Sequence, residues 1–486
     1  MIKFNRTLLL FIVIIIEGYV VLSTELLAIR QTIPFVGSGT DTVSIIIAAV
    51  LMPLAFGYYF GGRWRPKRFM GKLLTVRKKL ILNIIISAFI LLVGMSYTLL
   101  NGFFITLINL DLTNRIALTT VYSLLFLVVP VYLLGQTIPL VSNFFTSEKL
   151  SAITGRMLFF STVGSFMGAV FSTLVLMATI GVHYTVCVNF ILMAILVTLL
   201  SKKKTSEMVL VSYTLVVCAF FLNSTSALST FNIVENNKYN TISVFRDKQG
   251  MRNMSINNNA SSRYNDAGRK HEYIEFIERI AIDPIRNEEK PRDILVIGAG
   301  AFTFGHEDGF HHYDYVDIDK ALRKVAEEYI LKSRLKDNKT FYPIPARAYL
   351  TKTKKKYDLI MLDAFLGDLT IPEHLVTVEF FAQVKEHLKE KGVVIANFGS
   401  SPNFLSPFSR HLDNTFRTAF PHISRHVVLE KYKIWDDDPG YAANSIYIYR
   451  NQPDNDSDEL YTDNKNRIFY DKPHSKPNYR QLKKAQ

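Results

Sequence analysis

The sequence predicts two unlike parts: a multi-span α-helical membrane domain, and then an α/β domain with a parallel sheet that is preceded by a small β region. Three observations predict this arrangement. Long apolar runs recur up to about residue 225, strand-like and helix-like runs alternate after residue 290, and the average composition fits neither part alone. The chain has 486 residues, 49% of them hydrophobic, with a mean hydropathy of +0.16 and a net charge of +14. These values are too apolar for a disordered chain and too basic for an ordinary cytosolic enzyme.

Each apolar run in the first part is long enough for a membrane span. A hydrocarbon core about 30 Å thick needs roughly 20 apolar residues in helical form. We therefore predict a membrane domain over residues 1–225, with about seven transmembrane helices and the lipid bilayer as a partner. The predicted spans are residues 7–29, 43–60, 80–100, 116–134, 157–180, 184–200 and 208–222.

The distribution of basic residues predicts the orientation of these spans, because Lys and Arg in short loops mark the cytoplasmic side. The connection 61–79 contains eight Lys and Arg and no acid, and residues 202–204 after the sixth run are all Lys. The N-terminus is therefore expected inside, and an odd number of spans would place the second part outside. Because the seventh run is short and polar at its end, we instead expect the soluble part on the cytoplasmic face of the cell membrane.

Ionisable residues within an apolar run are candidates for function. Glu17 and Glu25 lie in the first run, and Arg30 follows it. A water-filled vestibule could accommodate these charges within the apolar run, but we favour a buried structural ion pair. Small residues that open the fifth run predict close packing of helices. These small residues are Gly155, Ser161, Gly164, Ser165 and Gly168.

The second part begins where alternating polar and apolar residues replace the apolar runs. Residues 226–290 predict a small β region and a lead-in helix. Residues 291–450 predict a Rossmann-like domain, because strand-like runs alternate with helical stretches. Residues 451–486, rich in Asn, Asp and Lys, predict a flexible tail. The strand-like runs of the Rossmann-like domain are residues 294–297, 313–318, 357–362 and 392–398.

Two glycines and an acid at strand ends form a candidate ligand site. Gly298 and Gly300 follow the first of these strands, and Asp317 lies in the second, 17 residues after Gly300. Glycines let the backbone approach a ligand closely, and an acid at this place can bind a ribose diol. The pattern indicates a nucleoside ligand. The alternative is a glycine turn that only packs a helix against the sheet.

Four motifs of the second part, in this order, resemble the spermidine synthase family: ILVIGAG at 294–300, YVDID at 315–319, YDLIMLDAF at 357–365 and IPEHLVTVEF at 371–380. The chain is most similar to the membrane-fused members, in which a multi-span domain precedes this fold. ELLAIR at 25–30 and LAFGYYFGGR at 54–63 match that subgroup. The resemblance implies an α/β domain of the S-adenosylmethionine-dependent methyltransferase type.

The activity implied by the resemblance is that of an aminopropyltransferase, which moves a propylamine group from decarboxylated S-adenosylmethionine to a diamine such as putrescine. Asp363 matches the catalytic aspartate, and Gly298, Gly300 and Asp317 match the part that binds the nucleoside. That nucleoside is a co-substrate, and neither a permanently bound cofactor nor a metal is expected. The residues implied for substrate binding are Asp368, Tyr239, Tyr273 and Glu275.

The expected partners are therefore small-molecule amine and nucleoside substrates, together with the lipid bilayer. A homodimer is left open by the resemblance. No nucleic acid is expected, because no nucleic-acid-binding module accompanies the positive charge.

Several positions depart from the family pattern. Ala301 stands where the glycine loop usually carries an acid, Pro345 replaces the acid that recognises adenine, and Arg269 and Lys270 lie near the place of an acidic pair. Basic residues there would repel a cationic diamine. These departures keep two alternatives open: a related transferase for another nucleoside or amine, and a non-catalytic polyamine-type transporter or sensor.

Overall fold

The structure is a computed structural model, and it describes residues 6–69, 72–144, 150–364, 371–428 and 443–451. The predicted flexible tail lies outside the described residues apart from Asn451. Strands are numbered β1 to β13 in chain order below.

The N-terminal half consists of apolar helices. Seven helices in the described ranges are long and apolar enough to cross a membrane, by length and composition. The predicted third span, residues 80–100, is interrupted at Ser96, where the backbone is extended and the Asn223 side chain donates to the Ser96 hydroxyl at 3.1 Å. The seven helices, called spans one to seven below, are Thr7–Val36, Thr40–Arg63, Val76–Met95, Arg115–Ser142, Ser151–Thr179, Gly181–Leu200 and Glu207–Ser229.

Several spans contain short changes of helical type or breaks. A small hairpin of β1 (Lys67–Phe69) and β2 (Lys72–Leu74) joins spans two and three. The helical segments of this half are Arg6–Val36, Thr40–Arg63, Val76–Met95, Tyr97–Asn109, Arg115–Ser123, Leu124–Val128, Val129–Gly135, Thr137–Ser142, Leu150–Val170, Phe171–Leu176, Met177–Thr179, Gly181–Leu200, Glu207–Leu222 and Thr225–Ser229.

Span five packs closely against span one. A Cβ atom on Gly164 would lie 2.1 Å from the Ile15 carbonyl oxygen, and one on Gly168 would lie 2.4 Å from the Tyr19 carbonyl oxygen. A side chain cannot occupy such a space, so the two backbones approach each other only because these residues are glycines. The close helix packing predicted from the small residues is confirmed at these two positions.

Glu17 and Glu25 are buried within the bundle. Arg30, the predicted partner of Glu25, instead donates from Nε to the Asn237 carbonyl oxygen at 2.8 Å and from Nη2 to the Thr241 hydroxyl at 3.3 Å. The predicted ion pair is therefore wrong, because the guanidinium near the end of span one lies against the beginning of the C-terminal half.

A four-stranded antiparallel sheet opens the C-terminal half, in the order β3-β4-β5-β6. Helix Glu272–Ala281 follows it and buries Tyr273, Ile274 and Ile277 on one face. This spacing is that of an amphipathic helix, which here points Tyr273 towards the protein interior. The strands are β3 (Ile233–Asn236), β4 (Thr241–Arg246), β5 (Arg252–Ile256) and β6 (Asn259–Tyr264).

A seven-stranded sheet forms the centre of the C-terminal half, in the order β12-β13-β11-β10-β7-β8-β9. The strands from β11 to β9 are parallel, which confirms the predicted parallel sheet and adds β9, a strand that was not among the predicted runs. Strand β13 runs antiparallel to β11 and β12. The half-exposed strand β12 lacks the continuous apolar run that predicts a buried strand. The strands are β7 (Asp293–Ile297), β8 (His312–Asp317), β9 (Lys339–Pro343), β10 (Tyr357–Leu362), β11 (Leu388–Ser400), β12 (Ile423–Val428) and β13 (Ala443–Arg450).

Apolar cores cover both faces of this sheet. Phe302 and Tyr315 belong to one core, and Phe381 and Phe416 belong to the other. With both faces covered, the open part of such a sheet is the edge formed by the carboxyl ends of its parallel strands. The remaining helical segments are Asp283–Ile285, Ala321–Val325, Ala326–Leu331, Ala346–Lys352, Glu373–Leu375, Val378–Glu386 and Pro407–Ala419.

Candidate active site

The turn after β7 brings the glycine loop against the end of β10. Gly298 has a φ of +93°, and a Cβ atom there would lie 2.2 Å from the Asp363 carbonyl oxygen. Gly300 has a φ of +50°, and a Cβ atom there would lie 2.8 Å from the Ser262 hydroxyl oxygen. Only glycine combines a left-handed backbone with the absence of a side chain. Packing alone therefore requires glycine at position 298, whether or not a ligand binds there. This requirement is part of the alternative that the sequence left open, a glycine turn with a packing role.

Asp317 lies beside this loop, at the end of β8. Its Oδ2 accepts a hydrogen bond from the Ala299 amide at 3.1 Å, and its Oδ1 accepts one from the Asp319 amide at 3.1 Å. Burial raises the pKa of Asp317 to about 6, although the backbone hydrogen bonds oppose this shift. Asp317 therefore has the position expected of an acid that binds a ribose, and its role stays a prediction.

Asp363 follows β10, on the other side of the glycine loop. Its Oδ2 accepts a hydrogen bond from the Tyr273 hydroxyl at 2.9 Å, and its Oδ1 accepts one from the Asn397 side-chain amide at 2.8 Å. Burial raises the pKa of Asp363 to about 6, and these two hydrogen bonds act in the opposite direction. Asp363 is thus an ionised carboxylate at neutral pH that is fixed in orientation and more basic than an exposed aspartate.

The residues predicted for amine binding are not all brought to Asp363. Tyr273 contacts it directly. Tyr239 lies in the connection between β3 and β4, where the Lys238 ammonium is 4.8 Å from the centre of its ring. Asp368 lies outside the described residues.

Glu275 already has partners from the chain itself. Its Oε1 accepts a hydrogen bond from the Lys270 amide at 3.0 Å and pairs with Arg269 Nε at 3.0 Å. The Lys270 ammonium pairs separately with Glu278 at 2.7 Å. A carboxylate that the sequence assigns to a diamine is therefore paired with a guanidinium of the protein.

Two residues at this edge of the sheet were missed by the sequence analysis. Asn397 lies in β11 and binds Asp363, and Asp319 follows β8 and is 1% exposed. The side chains of Asn237 and Asn240 donate hydrogen bonds to the Asp319 carboxylate at 2.9–3.1 Å. A signal existed for Asp319, because it lies at the end of the same strand as Asp317. Asn397 carries no such signal, because it lies within an apolar strand-like run. Among the described side chains, no group of three His, Cys, Asp or Glu could hold a metal ion.

The part of the chain that holds Asp317, Asp363 and Asn397 matches a known family model. The model, described as the spermine/spermidine synthase domain, matches residues 272–430. The stretch that matches this model, residues 272–430, is called the spermine/spermidine synthase domain below. The polyamine aminopropyltransferase of Vibrio vulnificus is 32% identical to the chain over 164 residues, which are 32% of this chain and 52% of that protein. The polyamine aminopropyltransferase of Pyrobaculum calidifontis is 25% identical over 185 residues, 35% of this chain and 61% of that protein. The chain thus spans little more than half the length of these relatives.

Solved spermidine synthases are also similar to the chain. A probable spermidine synthase from Corynebacterium glutamicum matches with 20% identity and a TM-score of 0.37, over 44% of this chain and 77% of that one. The spermidine synthase from Thermotoga maritima matches with 15% identity and a TM-score of 0.37, over 52% of this chain and 87% of that one. Six of the seven strands of the central sheet lie within residues 272–430, and β13 lies beyond them. By its own strand order, this sheet has the methyltransferase-like α/β arrangement that the resemblance implies.

Replacement of Gly298 tests the packing of the glycine loop. We expect Gly298→Ala to lower the free energy of unfolding by more than about 2 kcal/mol, because the new methyl group must displace the main chain at Asp363. Gly250→Ala is the matched control: Gly250 has a φ of +79°, but nothing lies within 4 Å of a Cβ atom there. The control should lose only about 1–2 kcal/mol, the cost of a left-handed backbone for a residue with a side chain. Thermal unfolding of both variants in detergent measures the difference, and equal losses would contradict the packing requirement.

Proposed function

We propose that the spermine/spermidine synthase domain transfers a propylamine group from decarboxylated S-adenosylmethionine to an amine, and that Asp363 accepts the proton of that amine. The placement of Asp363 carries the proposal. It is a fixed carboxylate at the end of β10, bonded to Tyr273 and Asn397 and packed against the glycine loop. Asp317 beside the same loop supports the binding of a nucleoside there.

The proposed reaction is a displacement at carbon. The lone pair of the amine forms the new nitrogen–carbon bond while the carbon–sulfur bond of the sulfonium breaks, and the electron pair of that bond stays on sulfur in a thioether nucleoside. The amine must attack in its unprotonated form and in line with the breaking bond. The product ammonium then loses a proton. Asp363, whose pKa burial raises to about 6, is ionised at neutral pH and can take this proton.

The surroundings of Glu275 favour a second candidate, a related transferase for an amine other than a diamine. A diamine carries a distal ammonium, which would compete with Arg269 for the Glu275 carboxylate at 3.0 Å. An acceptor with a single amino group meets no such competition. Putrescine and a monoamine of the same length are therefore both needed in the activity assay. Turnover of either one would exclude the non-catalytic transporter or sensor.

The substitution Asp363→Asn tests the assigned proton acceptor. It keeps the size of the side chain but removes its basicity, so we expect turnover to fall by a factor of roughly 100 or more. Release of the thioether nucleoside by the full-length protein measures this rate. Asp283→Asn is the control, because Asp283 is a half-exposed carboxylate that pairs with Arg286 at the surface, away from the candidate site. Full activity of Asp363→Asn would contradict the proposal.

We also propose that the seven spans cross the cell membrane and that the spermine/spermidine synthase domain faces the side opposite to the basic loops. The expected cytoplasmic position depended on a short seventh run. Helix Glu207–Leu222 is interrupted at Asn223 and Ser224 and continues as Thr225–Ser229, and the whole stretch is long enough to cross a membrane by length and composition. The C-terminal half contacts the end of span one through Arg30 and the beginning of span six at Gly181. The basic connections 61–79 and 202–204 lie at the other ends of the spans, which the positive-inside rule assigns to the cytoplasm.

Labelling of single cysteines tests this topology. In a background with Cys187→Ala and Cys218→Ala, we expect a membrane-impermeant maleimide to label Lys248→Cys in intact cells, and to label Lys203→Cys only after lysis. Both lysines are exposed, the first between β4 and β5 and the second between spans six and seven. The reverse pattern would place the domain in the cytoplasm. If the domain lies outside the cell, its nucleoside donor must be present on that side. The labelling pattern therefore also shows on which side of the membrane the donor is needed.

A further inference from the structure

A buried set of hydrogen bonds joins the end of span one to the connection between β3 and β4. Arg30, only 5% exposed, donates to the Asn237 carbonyl oxygen at 2.8 Å and to the Thr241 hydroxyl at 3.3 Å. One turn later, the Pro34 carbonyl oxygen accepts a hydrogen bond from the Asn258 side chain at 2.8 Å. The last turns of span one therefore hold the antiparallel sheet in place through three hydrogen bonds.

The same set continues into the nucleoside side of the candidate active site. The Asn237 side chain donates to both carboxylate oxygens of Asp319, at 3.0 and 3.1 Å, and Asn240 adds a third hydrogen bond at 2.9 Å. The Asp319 amide in turn donates to Asp317 Oδ1 at 3.1 Å. A path of hydrogen bonds, joined covalently within Asn237 and within Asp319, therefore runs from Arg30 to the acid expected to bind the ribose.

We propose that Arg30 is a positioning residue for the nucleoside site, acting through Asn237 and Asp319 on Asp317. The inference rests on the proposed function only in taking a nucleoside as the ligand. It adds a role for the membrane half: span one fixes the geometry of a site in the other half of the chain.

The chemistry of the two charged groups supports this role. Asp319 is a buried carboxylate, and the positive charge of Arg30 acts favourably on it. Loss of that charge leaves a buried anion less well compensated. A guanidinium can also donate to two acceptors in a fixed relative orientation, which the point charge of a lysine cannot reproduce. Arg30→Lys should therefore restore the charge but only part of the alignment.

Nucleoside binding by the full-length protein in detergent tests the proposal, with 5′-methylthioadenosine as the probe and isothermal titration calorimetry as the measurement. We expect Arg30→Met to weaken binding by roughly tenfold, as for loss of a hydrogen bond to a charged group, and Arg30→Lys to give an intermediate affinity. Asp319→Asn should weaken binding similarly. The double variant Arg30→Met/Asp319→Asn should lose less than the product of the two effects, because both residues act through one network.

The neighbouring residue Gln31 provides the matched control. Its side chain is also buried and donates to a carbonyl oxygen, that of Met95 at 2.7 Å, but this contact lies within the bundle. Gln31→Met should lower the melting temperature and leave the affinity for 5′-methylthioadenosine within about twofold of the wild type. An equal loss of affinity in Gln31→Met would overturn the proposal.

Two further outcomes distinguish this proposal from the proposed function. Wild-type affinity in Arg30→Met would overturn the role of Arg30 alone. Absence of binding by the wild type would contradict the nucleoside ligand, and therefore both proposals together.

Discussion

The parallel pairing of β7 with β8 on one side and with β10 on the other is the constraint on which the candidate site depends. It brings the carboxyl ends of three strands to one edge of the sheet. The main chain fixes this edge further, because the Gly298 amide donates to the Val316 carbonyl oxygen and the Asp363 amide donates to the Ile297 carbonyl oxygen. Asp317 and Asp363 consequently lie on opposite sides of one glycine loop.

Burial gives these two carboxyl groups similar pKa values, but their hydrogen-bond donors differ in kind. Asp317 receives backbone amides, which any sequence with this fold would supply. Asp363 receives the side chains of Tyr273 and Asn397, so its basicity depends on residue type. This difference suits their proposed roles. A binding acid needs a fixed position, whereas a proton acceptor needs a pKa matched to the working pH.

Short-range patterns made much of the fold predictable. The apolar spans, four of the five strands of the parallel sheet (β7, β8, β10 and β11) and the acids at their ends follow from periodicity within a few residues, whereas β9 was not predicted. Contacts between distant segments leave no such trace. Arg30 and Asn237 are 207 positions apart in the sequence, and the sequence analysis paired Arg30 with Glu25 because that residue was near. The pairing of Glu275 with Arg269 likewise depends on how the chain turns before helix Glu272–Ala281, and Asn397 is hidden within an apolar strand.

The pH dependence of turnover in the wild type and in Tyr273→Phe tests most directly whether Asp363 is the proton acceptor. A protonated Asp363 cannot accept a proton, so turnover should fall as the pH is lowered through about 6, the pKa of this group. Tyr273→Phe removes a donor that stabilises the carboxylate, which should raise that pKa and move the acidic limb to higher pH. Protonation of the amine in solution is the same for both proteins. An acidic limb at the same pH in both proteins would contradict the account.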